Sequence, residues 1–337
     1  MNDNVRRLHF NATVFDTHCD TLKCLSPYFT SSRDSMWSDR SSIGLGGRSD
    51  IGHVDIPRLK EGGVDCQVFA ISSLRERNPQ YALRTALHML DIFYSECLKN
   101  EDSIAPATSH KEIMKTLDQG KTVALLSIEG ADVLEGNLGV LRIFYRLGVR
   151  MVGLVHSLRN QLADGVTDSR TGGGLSEFGV KVVEELNRLG ILIDVSHLND
   201  AGFWDLIEVS TQPIMASHSN SRAVCGHARN LTDDQIRALA DKGGVMGINF
   251  SPSFIHPTRA DVAGVVDHID HIVKLVGVDY VGLGSDFDGI RGTPIGLEDA
   301  SKMPNITSEL VQRGYSKEDI RKILGENHLR LFKDIVG

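Results

Sequence analysis

The sequence predicts an α/β protein, a single (β/α)8 barrel of the TIM type occupying residues 1–337, and three observations carry that prediction. Eight short apolar runs alternate with helical patterns along the chain, the signature of repeated β-α units and a parallel sheet. No linker-like stretch divides the runs into two sets of four. Histidines and carboxylates fall at the ends of six of the eight runs, and in a barrel all those ends meet on one face.

The first run, 12–18, follows a polar tail and leads into Phe15-Asp-Thr-His-Cys-Asp-Thr-Leu22. Side chains two apart in a strand point the same way. His18 and Asp20 are therefore expected to converge, with Cys19 turned away as a packing residue. A variable loop at about 26–52, rich in Ser, Gly and Arg, comes next and is placed to cover the end of the first strand. Its Gly44-Leu-Gly-Gly47 lacks the preceding strand and following helix that a dinucleotide fingerprint needs.

The second run is 64–72, and apolar residues at helical spacing predict a helix over 81–99. The third run, 123–129, ends at Glu129, and the fourth, 150–156, at His156. The segment 160–174, which includes Asp164, reads as a solvated glycine-rich loop. A helix over 176–189 precedes the fifth run, 191–197, which ends at His197; the sixth, 213–218, ends at His218. Thr232-Asp-Asp-Gln235 predicts a capping box opening a helix that stops at Gly243-Gly244. The seventh run is 244–250. A helix over 261–276 carries His268 and His271 beside Asp267 and Asp270, which reads as a solvated face. The eighth run, 279–286, ends at Asp286, and a final helix begins near Ser316.

Composition narrows the function. A net charge of −8 and a pI near 5.9 exclude a phosphate-backbone binder, so no nucleic acid partner is expected. The five cysteines form no C-x-x-C pair, which predicts a reducing compartment. No apolar run approaches the roughly 20 residues that span a bilayer, and the N-terminus lacks a secretory apolar segment. A cytoplasmic protein with no membrane partner is expected.

Chemistry comes from the strand ends taken together. Collecting His18, Asp20, Glu129, His156, His197, His218 and Asp286 in one concavity without a cation costs several kcal/mol for each unpaired charge. A metal resolves that cost, and His, Asp and Glu without thiolate suit zinc, with manganese second. The five ligands His18, Asp20, Glu129, His197 and His218 exceed one open zinc site and divide into two, with Glu129 able to lend an oxygen to each ion. Two ions about 3.5 to 4 Å apart hold a bridging hydroxide and polarise a carbonyl, which predicts hydrolysis.

Seven segments in order then resemble one family: Asp16-Thr-His-Cys-Asp20, Val54-Asp-Ile-Pro-Arg-Leu-Lys-Glu-Gly-Gly63, Ser127-Ile-Glu-Gly130, Asp194-Val-Ser-His197, Ala216-Ser-His-Ser219, Ala228-Arg-Asn230 and Gly284-Ser-Asp-Phe-Asp-Gly289. Together they resemble the membrane, or renal, dipeptidases of the amidohydrolase superfamily. The resemblance implies a zinc-dependent dipeptidase acting through a metal-bridging hydroxide on small dipeptides, including those with a C-terminal D-residue, and a homodimer. Two Zn2+ per chain are implied, one on His18 and Asp20, one on His197 and His218, with Glu129 bridging. The resemblance assigns His156 to substrate contact and oxyanion stabilisation, Arg229 to the substrate's C-terminal carboxylate, and Asp286 to proton transfer. Asp288 is the rival of Asp286, on the same face of an extended Asp-Phe-Asp.

Two other readings compete. The same barrel supports deaminases, lactonases and phosphotriesterases, but these commonly use His-x-His and a modified lysine, where this chain has His18-x-Asp20, Glu129 and no lysine at a predicted strand end. A non-catalytic, zinc-stabilised binding protein would enclose its metal with four ligands, leaving His156, Arg229 and Asp286 without a task.

Overall fold

The structure, a computed structural model, describes residues 2–30, 38–72 and 81–337. Eight parallel strands form it: β1 (Val14–Cys19), β2 (Val64–Ser72), β3 (Thr122–Glu129), β4 (Val149–Gly153), β5 (Leu192–Asp194), β6 (Ile214–Ser219), β7 (Val245–Ile248) and β8 (Val281–Leu283). Each pairs with the next in sequence, and β1 closes the ring on β8 through Asp16 and Leu283. The barrel is therefore the expected one. An additional short strand, Ile104–Pro106, runs parallel to the first residues of β3, and nothing in the sequence pattern announced it.

Several strands are shorter than their apolar runs. β4 ends at Gly153, β5 at Asp194 and β8 at Leu283. His156, His197 and Asp286 therefore lie three residues beyond their strands rather than closing them. Two of them also depart from extended backbone: His197 and Asp286 have φ of 73° and 61°, left-handed values that no strand ladder accommodates and that are uncommon for residues with a Cβ.

Helices cover the outside. Glu177–Leu189 starts on the Ser176 hydroxyl, which accepts from the Gly179 N–H, and stops at Gly190 with φ 67°. Asp233–Asp241 opens with the predicted capping box of Thr232 and Gln235. Val262–Val276 starts on Asp261. The polar N-terminal tail is in fact a helix, Asp3–Phe10, anchored by buried His9, whose ring nitrogens lie 2.7 Å from Thr307 Oγ1 and 2.7 Å from Gly62 O. Phe15, Met151, Leu192, Met215 and Val245, one from each of five strands, pack with Leu331 and Phe332 of the C-terminal helix Asn327–Val336. That packing plugs the barrel away from the polar strand ends.

Two local expectations are overturned. His268 is fully buried, not solvated: its Nδ1 accepts from the Ser221 N–H and its Nε2 donates to the Ile255 carbonyl, both at 3.1 Å. Flanking aspartates made the segment look wet, yet His268 sits on the apolar face with Val265 and Ile269, while Asp267 and Asp270 face Arg313. Asp164 is likewise buried, taking Arg159 Nη2 at 2.8 Å. Of the variable loop 26–52, residues 31–37 lie outside the described residues; the rest includes Arg40, wholly buried, with Nη1 donating to the Ile51 carbonyl.

Candidate metal centre

Two buried aspartates build the scaffold, and each precedes a histidine in its motif. Asp194, closing β5, accepts the Ser217 N–H at 2.8 Å and the Ser196 N–H at 2.9 Å on Oδ1, while Oδ2 takes the Ser217 hydroxyl at 2.5 Å. Asp16 on β1 accepts the Ser285 N–H at 2.7 Å and its hydroxyl at 2.6 Å. Each aspartate thus grips the serine just before a site residue on the neighbouring element: Ser217 before His218, Ser285 before Asp286. The motifs Asp16-Thr-His18 and Asp194-Val-Ser-His197 both carry such an aspartate, and a buried carboxylate of this kind holds two chain segments in fixed register.

On that scaffold the chemistry-bearing side chains meet. His197 Nε2 lies 3.0 Å from His218 Nε2 and 3.1 Å from Glu129 Oε1. Glu129 Oε1 is also 3.5 Å from His18 Nε2 and 3.6 Å from His218 Nε2. His18 Nε2 stands 3.8 Å from Asp286 Oδ1. Among the described residues, three overlapping sets have ligand atoms close enough to share an ion: His18, Glu129 and His218; Glu129, His156 and His197; and His18, Asp20 and Asp286. Every ligand named from sequence is in this cluster. Asp286 joins it too, within reach of the same centre as His18 and Asp20.

The residues fit a metal on an internal test. Both ring nitrogens of His18 are buried with no hydrogen-bond partner among the described residues, and two imidazole Nε2 atoms face each other at 3.0 Å. Buried polar atoms are almost always partnered. A cation accepting those lone pairs is the partner this donor set lacks.

Electrostatics agree. Burial holds His197 and His218 well below the ordinary imidazole value, which keeps them neutral and able to ligate. Burial alone would raise Glu129, but Lys23, His156 and His18 hold it well below the carboxylate range. At Asp286, burial pushes the carboxyl up to about 7, helped by Asp20 and Glu129. A carboxyl near neutrality can both take and return a proton.

The backbone at Asp286 is a tight turn, not extended. Asp286 and Asp288 both have positive φ, and the Gly289 N–H closes on the Asp286 carbonyl at 3.0 Å. The turn separates the two carboxylates. Asp286 faces the cluster, with Oδ2 held by Asn249 Nδ2 at 2.8 Å, while Asp288 binds the Thr21 hydroxyl and the His53 N–H. A Cβ on Gly289 would fall 2.3 Å from both Asp20 Oδ2 and Asp286 Oδ1.

Around the cluster is an open cavity of about 590 Å³ whose lining includes His156, Arg229, Phe254 and Arg291. His156 is 39% exposed and stacks on His197 with centroids 4.3 Å apart. Arg229 is buried, its Nη2 donating to the His218 carbonyl at 3.3 Å and its guanidinium 5.6 Å from the Phe254 ring. Sequence reasoning missed Lys23. Its Nζ reaches Asp20 Oδ1 at 2.7 Å and Glu129 Oε2 at 3.3 Å. It lies in the short helix Thr21–Cys24, three residues past Asp20, so a search restricted to strand ends passes over it. The supporting Asn249 was missed for want of any motif.

Residues 2–336 match the model of the membrane dipeptidase family, peptidase family M19. The chain is 36% identical to Dipeptidase aclJ of Aspergillus oryzae, over 84% of this chain and 70% of that protein. It is 31% identical to Dipeptidase tcpJ of Claviceps purpurea, over 95% and 76%. Among solved structures, a metallo peptidase from Rhodobacter sphaeroides, liganded with a phosphinate mimic of L-Ala-D-Ala, superposes with a TM-score of 0.85 at 29% identity, covering 96% of this chain and 99% of that one.

Proposed function

Because the chain belongs to the membrane dipeptidase family of metallopeptidases, we propose that it hydrolyses free dipeptides at a two-zinc centre held by His18, Asp20, Glu129, His197 and His218. His18 and Asp20 would hold one ion, His197 and His218 the other, and Glu129 would contribute to both. The observation that carries this reading is the convergence of four imidazoles on Glu129 Oε1, within 3.9 Å, with the His18 nitrogens otherwise unpartnered. When bound, the ions supply a nucleophilic water of lowered pKa and a Lewis acid for the scissile carbonyl.

The chain's own residues carry the remaining tasks. Arg229 offers a guanidinium at the cavity wall, a planar fork suited to a free C-terminal carboxylate. Anchoring that carboxylate fixes the length of peptide that can reach the cluster, which favours dipeptides over longer chains. His156 stands at the cavity with Nε2 directed toward Glu129, and a donor there stabilises negative charge developing on the carbonyl oxygen. Asp286, with one oxygen fixed by Asn249 and the other toward His18, takes the proton from the attacking water and returns it to the leaving amine.

The relative from Rhodobacter sphaeroides was liganded with a mimic of L-Ala-D-Ala, which supports extending the substrate range to a C-terminal D-residue. The test is amino-acid release from L-Ala-L-Ala and L-Ala-D-Ala against their C-terminal amides, with zinc-loaded protein. Cleavage of the free forms, lost on amidation and reduced about 10²- to 10⁴-fold in Asp286→Asn, is expected. Equal cleavage of free and amidated forms would sink the clamp, and no cleavage of any would sink the dipeptidase assignment.

A further inference from the structure

We infer that Ser217 and Asp194 form a hydrogen-bonded relay that fixes the tautomer of His218, presenting its bare Nε2 to the metal centre. The inference rests on the metal-site reading above and extends it to two residues outside the ligand set. Ser217 Oγ lies 2.7 Å from His218 Nδ1 and 2.5 Å from Asp194 Oδ2. All three residues are buried, so water does not compete for these bonds.

The direction of each bond follows from what the atoms can do. An ionised carboxylate only accepts, and Asp194 Oδ1 is already taken by two backbone N–H groups. The Ser217 hydroxyl proton therefore goes to Asp194 Oδ2. Having spent its proton, Ser217 Oγ can only accept from His218, which places the imidazole hydrogen on Nδ1. Nε2 is then a lone pair, 3.0 Å from His197 Nε2 and 3.6 Å from Glu129 Oε1, where a cation is needed. The other two ligand histidines are held less firmly: His197 Nδ1 has Ser157 Oγ at 3.3 Å, and neither nitrogen of His18 has a hydrogen-bond partner among the described residues.

Ser217 and Asp194 are positioning residues, and two variants separate positioning from mere scaffolding. Ser217→Ala deletes the relay but leaves Asp194 its two backbone bonds. Asp194→Asn keeps the shape. If the amide oxygen keeps the backbone N–H groups, its NH2 donates to Ser217, whose hydroxyl then donates to His218 Nδ1 and drives the imidazole hydrogen onto Nε2, the ligating atom.

The experiment measures zinc affinity by competition with a chromophoric chelator, alongside histidine-directed ¹⁵N NMR of the metal-free and zinc-loaded protein. Wild type should show His218 with its hydrogen on Nδ1. Both variants should raise the zinc dissociation constant about 10- to 100-fold, the usual cost of losing such an outer partner, and metal-free Asp194→Asn should show hydrogen on Nε2. Should Asp194→Asn not fold, Ser217→Ala decides alone. Unchanged zinc affinity and an unchanged His218 tautomer in Ser217→Ala would overturn the relay even if stability fell. A wild type that binds no zinc would overturn the metal-site reading as well, and that failure is distinguishable because it appears before any variant is compared.

Discussion

At the scale of single residues, close approach is what the site demands most. Gly289 is required where it stands because a methyl group there would meet Asp20 and Asp286 at 2.3 Å, a separation that forces one carboxylate to move. Gly289→Ala is expected to lower kcat/KM by about 10²-fold, the scale of a 1 Å misplacement of catalytic groups. Steady-state kinetics on any cleaved dipeptide tests this, and an unchanged kcat/KM would mean that the two carboxylates need not hold their places. Asp286 and His197 tell the same story through positive φ. The sequence marked both as candidates, and both lie in the cluster, but their left-handed backbone was not legible, because an apolar run ending in His or Asp looks the same whether the strand stops there or three residues earlier.

At the scale of elements, helix Val262–Val276 shows how local context misleads. His268 lies between acidic neighbours in sequence, yet the helix turns it inward, where burial lowers its pKa to about 4. Its neutral form is specified twice over, since Nδ1 accepts from Ser221 and Nε2 donates to Ile255. The folded pKa lies below the ordinary value of 6.5, so on acidification the unfolded chain binds this proton first. The stabilising contribution is therefore full above about pH 6.5 and is lost as pH falls toward 4. At pH 5 the loss is about 2 kcal/mol, and His268→Gln should flatten that part of the dependence. Denaturant unfolding at pH 7 and pH 5 reads it directly; equal losses in wild type and variant would remove His268 as the cause. A second element, the short helix Thr21–Cys24, brings Lys23 against Asp20 and Glu129, a charge that the rule of looking at strand ends could not find.

At the scale of the molecule, the barrel brings residues from position 18 to position 286 within a few ångströms, and a metal held by them would tie those chain segments together. Removing it should therefore cost stability as well as activity. An ion at 1,000 times its dissociation constant contributes about 4 kcal/mol, roughly a 5–10 °C loss in Tm for a protein of this size after exhaustive chelation. Calorimetry with and without readdition of zinc measures it, and an unchanged Tm in verified metal-free protein would mean that these ligands hold no ion in the folded state.

The sequence by itself determined the barrel and put His18, Asp20, Glu129, His197 and His218 forward as candidate ligands, because hydrophobic periodicity and strand alternation are local properties that survive without knowledge of contacts. It also carried Asp194 and Ser217, quoted within motifs but with no role attached. Only the tertiary structure decided that role, together with the inward turn of His268, the reach of Lys23, the division of labour between Asp286 and Asp288, and the burial of Arg229. Each of these depends on a partner 11 to 267 residues away. Long-range pairing of buried polar groups follows the packing of whole elements, and no periodicity in the chain records it.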